Sequence, residues 1–107
     1  MTTFDKRKDA FENKFAHDEQ LRFKAEARRN RLLGEWAAGL LGKTGNDATE
    51  YAKSVVAADF EEAGDDDVFR KVRADLDAAG VERSDHQLRR TMDELMITAA
   101  EQIEKES

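Results

Sequence analysis

The stretch LLGEWAAGLL, residues 32–41, decides the fold. Leu32, Leu33, Trp36, Ala37, Leu40 and Leu41 recur at i, i+1, i+4, i+5, i+8 and i+9, which is one face of an α-helix. Upstream, Leu21, Ala25 and Arg28 carry a weaker stripe in the same register. The spacing predicts a helix from Asp18 to Gly42.

Further along, the breakers are isolated glycines spaced like helix ends: Gly42 and Gly45, Gly64, Gly80. There is no proline, and the β-branched and aromatic runs that mark strands are missing. A second helix is predicted behind an Asn46 or Asp47 cap, since Asp47 and Glu50 have capping-box spacing. Its apolar face is Ala48, Tyr51, Ala52, Val55, Val56, Phe60 and Ala63, with Gly64 as the C′ residue. A third begins at Asp65–Asp67, where the helix dipole favours negative charge. It buries Val68, Phe69, Val72, Leu76 and Ala79 and ends at Gly80, with Val81 placed for a Schellman contact. Ser84 and Gln87 form another capping box. They open a fourth helix with Leu88, Met92, Leu95, Met96, Ala99 and Ile103 inward, fraying in the terminal EKES. The expected fold is all-α: a four-helix bundle, residues 19–107, with a mobile N-terminal arm, residues 1–18. Short loops make neighbouring helices antiparallel.

Charge divides the chain. Residues 1–31 hold nine Lys/Arg against six Asp/Glu, a net of +3; the remainder holds nine against eighteen, a net of −9. An acidic body argues against nucleic acid as the partner. No run approaches the ~18 apolar residues of a membrane span, and no secretory signal is visible. The absence of cysteine excludes disulfides, thiolate zinc sites and a thiol nucleophile.

Several patterns invite a chemical reading and do not sustain it. Ala37 to Thr44 satisfies a loose phosphate-loop spacing, but a working loop opens a helix, where amides point at the phosphates. Here the pattern closes one, so a helix C-cap is the better reading. His17 and His86 lack metal spacing; His86 is expected to be solvated, while His17 borders the arm and titrates near neutrality. The acidic run from Asp59 to Asp67 lacks the alternating spacing of a calcium loop and is read as a solvated helix end. Arg28, Arg29 and Arg31 are either a solvated face or a contact for a partner. No nucleophile–base set is apparent, so the chain is not expected to be an enzyme, and no cofactor or metal is expected.

The arm is different. Phe4, Phe11 and Phe15 fall at i, i+7 and i+11, one side of a helix, with charged residues elsewhere. That is the pattern of a helix-in-groove ligand, against the plainer alternative of a disordered tail. Membrane adsorption is disfavoured by the interspersed acids.

Three segments also resemble a known family: FAHDEQLRFKAEARRNRLLGEWAAGLLG (15–42), ADFEEAGDDDVFRKVRADLDAAGV (58–81) and MDELMITAAEQI (92–103). They are similar to the alphaproteobacterial ATP synthase ζ subunits, across essentially the whole chain. The resemblance implies a four-helix bundle that inhibits the F1FO-ATPase. Its N-terminal segment, about Met1 to Glu19 here, enters the catalytic α/β interface near γ and blocks rotation in the hydrolysis direction. The partners implied are the F1 α, β and γ subunits, met at the cytoplasmic face of the inner membrane; the free chain is expected to be a cytoplasmic monomer. The expected partner-binding residues are Phe4, Lys6, Arg7, Lys8, Phe11, Lys14, Phe15, His17, Arg28, Arg29 and Arg31. The rival reading is a small helical domain that senses a nucleotide or other ligand.

Overall fold

The structure, a computed structural model, describes residues 18–59 and 65–106. They form four helices, α1 (Glu19–Leu40), α2 (Gly45–Ala58), α3 (Asp66–Ala78) and α4 (Asp85–Glu106), with no strand among the described residues. The expected arm, residues 1–17 in particular, lies outside them, as do Phe60, Ala63 and Gly64.

The caps explain the boundaries. Asp18 is extended and its side chain accepts the Leu21 N–H at 3.1 Å, which starts α1. α1 and α3 both end in Schellman motifs. Lys43 N–H reaches the Ala38 carbonyl at 2.9 Å around Gly42, and Val81 N–H reaches the Leu76 carbonyl at 2.9 Å around Gly80. Both glycines have positive φ, 77° and 71°, which a Cβ would penalise. The Ser84 capping box is complete: Ser84 N–H donates to Gln87 Oε1 at 2.9 Å, and Gln87 N–H donates to Ser84 Oγ at 3.0 Å.

Three boundaries differ from the sequence reading. α2 starts at Gly45, because the Thr44 carbonyl already accepts the Ala48 N–H; Asp47 lies in the first turn instead of capping it. α2 stops at Ala58, with Asp59 as its cap, ahead of the expected end. α4 does not fray before Glu106: that carboxylate takes both oxygens to Arg28 Nη2, at 2.7 and 2.8 Å. Ala79, expected inside, is the exposed cap of α3.

The core is one cluster drawn from all four helices: Leu33, Ala37, Val55, Val68, Val72, Leu76, Leu88 and Met92, all fully buried. Trp36, Leu40, Leu41, Tyr51, Phe69, Val81 and Leu95 close over it. A smaller cluster joins Leu21 to Ala100 and Ile103 at the other end of α1. The start of α1 thus meets the end of α4 while Leu33 meets Leu88 and Met92, so the two helices are antiparallel. α3 and α4 are antiparallel too, since Arg73 pairs with Asp85 and Arg89 with Asp65. Tyr51 ties α2 to α3 by donating its hydroxyl to Asp75 Oδ2 at 2.8 Å. Burial and that neighbouring carboxylate push the phenol above its ordinary range.

Candidate functional site

Of the expected partner-binding residues, Phe4, Lys6, Arg7, Lys8, Phe11, Lys14, Phe15 and His17 lie outside the described residues. The other three stand on α1 and are treated in three different ways. Arg28 is half-buried, with Nη1 donating to Gln102 at 2.8 Å and Nη2 to Glu106. Arg29 is buried at 4% exposure; its Nε donates to Asn30 Oδ1 at 2.7 Å and its Nη1 lies 3.7 Å from Asp65 Oδ2. Arg31 alone is exposed, with no ion pair among the described residues. Helical geometry sets this division. Arg28 and Arg29 share the inner side with Ala25 and Leu33, while Arg31 projects away.

Arg29 is the centre of a polar knot. Asp65 also accepts from Arg89 Nη1 at 2.9 Å, and Arg89 Nη2 reaches Asp66 at 2.7 Å. The Arg89 guanidinium lies over the Phe69 ring, 4.2 Å from its centroid, a cation–π contact. Asp67 is buried, and its Oδ1 accepts the Val68 N–H at 2.8 Å. Burial raises the Asp59 carboxyl above the usual range; Asn30 and Arg29 pull it down, and Asp67 and Asp65 push it up. Arg29 therefore acts on both ends of the α2–α3 connection, at Asp59 and Asp65. The acidic run, read from sequence as solvated, is in part an internal clamp. Its carboxylates are answered by arginines 23 to 36 residues away in sequence, which no local pattern reveals. Among the described residues, no group of His, Cys, Asp and Glu is arranged to hold a metal ion.

The outer side of α1 carries a residue that the sequence reading missed. Phe23 is 62% exposed, on the second turn of α1, and with Glu19, Gln20 and Lys24 it borders a shallow depression. A signal was available: Phe23 is two residues from both Leu21 and Ala25, so a helix carrying those inward turns Phe23 outward. Further along, α1 and α2 leave a groove of about 240 Å³ lined by Arg31, Glu35, Thr49, Ala52, Lys53 and Val56. α1 and α2 pass close to each other at Gly34, where an added Cβ would lie 2.5 Å from the Cα of the groove residue Ala52.

The loose phosphate-loop pattern ends α1 as expected. The Ala38 and Gly39 carbonyls accept from Lys43 and Gly42, so the first six residues of the pattern close a helix; α2 opens only at Gly45, after the pattern, and no strand precedes it among the described residues. His86 is exposed on the first turn of α4.

Four helices around one apolar core, with buried Arg29 answered by Asp65 and Phe23 left outside, define the class: a small four-helix bundle. A model of the family described as ATPase inhibitor subunit zeta matches residues 1–102, and the chain belongs to that family. A protein solved by solution NMR is 49% identical to this chain, covering 81% of it and 99% of its own length, with a TM-score of 0.72. No curated protein matches the chain. Membership makes the chain an ATPase inhibitor subunit that binds the ATP synthase complex. Among the described residues, no helix is long and apolar enough to cross a membrane.

Proposed function

We propose that the chain stops ATP hydrolysis by the F1FO-ATPase by placing residues 1–18 at the catalytic interface of F1, between α and β and near γ. Phe4, Phe11 and Phe15 are the apolar anchors, and Lys6, Arg7, Lys8 and Lys14 meet acidic surface. The helical bundle, residues 19–107, remains outside the cleft as a stop. Binding one stage of the catalytic cycle stabilises that stage, and the rotor stalls. The chain works as a binding subunit without chemistry of its own, at the cytoplasmic face of the inner membrane. His17, at the junction of arm and bundle, belongs to the same contact. Arg28 and Arg29 serve it indirectly, by holding α1 in the bundle, and exposed Arg31 meets F1 from the bundle, outside the cleft.

The observation that carries this reading is the family match, which spans the arm and the bundle together, residues 1–102. The test adds the purified chain to F1 from its own organism and follows ATP hydrolysis. The full chain inhibits; a chain lacking residues 1–18 keeps its helical melting transition and does not inhibit. Full inhibition by the shortened chain refutes the arm as the inhibitory element.

A further inference from the structure

The contacts that hold the bundle together leave one row of α1 unused. Phe23 keeps 62% of its surface in water, while the other large apolar side chains among the described residues are buried or half-buried. Burying a phenylalanine is favourable, so leaving one out forgoes stability that the same helix obtains at Leu33. Arg31 lies eight residues on, about 12 Å along the axis. Phe23, half-buried Ala27, Arg31 and Glu35 form a single i+4 row; its far end, Arg31 and Glu35, walls the 240 Å³ groove against Lys53 and Val56 of α2, while Phe23 borders the separate shallow depression near the start of the helix.

Two cations on the outer side of α1, Arg31 in the row and Lys24 beside it, are also unspent. The chain has 24 Asp/Glu to 18 Lys/Arg, so carboxylate partners are plentiful. On α3 and α4, Lys71, Arg73, Arg89 and Arg90 each have one. Lys24 and Arg31 have none among the described residues, although Glu19 and Glu35 stand at the two ends of the row. The row starts one turn beyond Asp18, where the N-terminal segment joins α1, and lies in the +3 third of a chain that is otherwise −9.

We infer that the outer side of α1 (Phe23 and Arg31 in the row, Lys24 beside it, with the groove edge at Lys53 and Val56) is a second docking surface for the ATP synthase head, taking an apolar patch flanked by carboxylates. The inference rests on the reading of the chain as an ATPase inhibitor, and adds to it a contact made by the folded bundle. Phe23 is the anchor, at low entropic cost because its backbone is already helical. Lys24 and Arg31 select the partner. An acidic surface is attracted to these two cations and repelled by the −9 remainder, which orients the bundle as the arm engages. Lys53, held by Glu50 at 3.4 Å, rims the groove into which an apolar side chain of the partner fits.

The experiment titrates the full-length chain against F1 from its own organism, reading both binding and ATP hydrolysis. The proteins are native, Phe23→Ala, Arg31→Glu, and Arg90→Glu as a charge reversal on α4. Phe23→Ala and Arg31→Glu are each expected to raise the half-inhibitory concentration about tenfold, with unchanged helical melting because both residues are exposed. Arg31→Glu also slows association and flattens its dependence on salt. Arg90→Glu matches the native chain. If native inhibits and both row variants inhibit equally well, the docking row is wrong while the inhibitor reading stands. If native neither binds nor inhibits, both fall. If sedimentation shows a native dimer that Phe23→Ala dissolves, the row belongs to a second copy of the chain, and the inference is overturned.

Discussion

Gly34 offers a test of the packing from which everything else hangs. A Cβ on Gly34 would lie 2.5 Å from Ala52 Cα, 3.1 Å from its Cβ and 3.3 Å from its carbonyl oxygen. Carbon atoms pack best at about 3.5–4.0 Å, so Gly34→Ala forces α1 and α2 apart by about 1 Å. The nearest atom is backbone, so no rotamer change relieves the clash. The parting propagates to Leu33, Ala37 and Val55, which are fully buried. Overpacking against backbone that cannot yield falls in the upper part of the usual range, about 2–3 kcal/mol. Alanine's better helix propensity returns about 1 kcal/mol. The expected net loss is therefore about 1–2 kcal/mol. For a domain of this size each kcal/mol moves the melting temperature by about 4–8 °C, so Tm falls by about 5–15 °C. Gly39 is the control within the same helix: a Cβ there meets nothing within 4 Å. Gly39→Ala takes only the propensity term, and raises Tm by a few degrees. Thermal melting followed by far-UV circular dichroism reads both. Gly34→Ala melting at or above the native temperature would refute the close crossing of α1 and α2.

The polar knot makes two further predictions. Arg29→Ala orphans Asn30 Oδ1 and removes one of the two arginines on Asp65, in a buried setting. Urea unfolding should show a loss of about 2–3 kcal/mol, against under about 1 kcal/mol for an exposed pair such as Arg90–Glu94; equal losses would place Arg29 at the surface. Asp59 sets a pH dependence. Its native carboxyl is raised by burial, so the folded chain binds that proton more tightly than the unfolded chain. The stability it contributes is complete below the ordinary carboxylate range and is lost as pH rises through the native value. Asp59→Asn, neutral throughout, should melt higher than native at neutral pH, and the difference should vanish as pH falls into the acid range. A difference that grows toward acid would reverse the assignment.

Some of this was readable from sequence because it is local. The Ser84–Gln87 box and the Gly42 and Gly80 ends each depend on residues within one turn, and each holds in the structure. The inward face of α1 was readable because helical period alone sorts Leu33 from Arg31. The start of α2 was misplaced because two nearby residues compete for a cap, and the Thr44 carbonyl wins without a side-chain signal. Phe23 belongs to no apolar stripe, and the stripe of Leu21 and Ala25 on either side of it turns it outward.

The sequence by itself determined four helices, their order, the apolar face of each and the concentration of positive charge in the first third. These follow from periodicity and capping, which act over a few residues. Only the tertiary structure decided which carboxylates Arg28 and Arg29 meet, that Asp65 is shared by two arginines, and that Gly34 lies where two helices touch. Each of these depends on a partner 18 to 78 residues away. A charge is solvated or buried according to what the fold brings beside it, and a glycine is idle or essential according to the backbone that passes its missing Cβ.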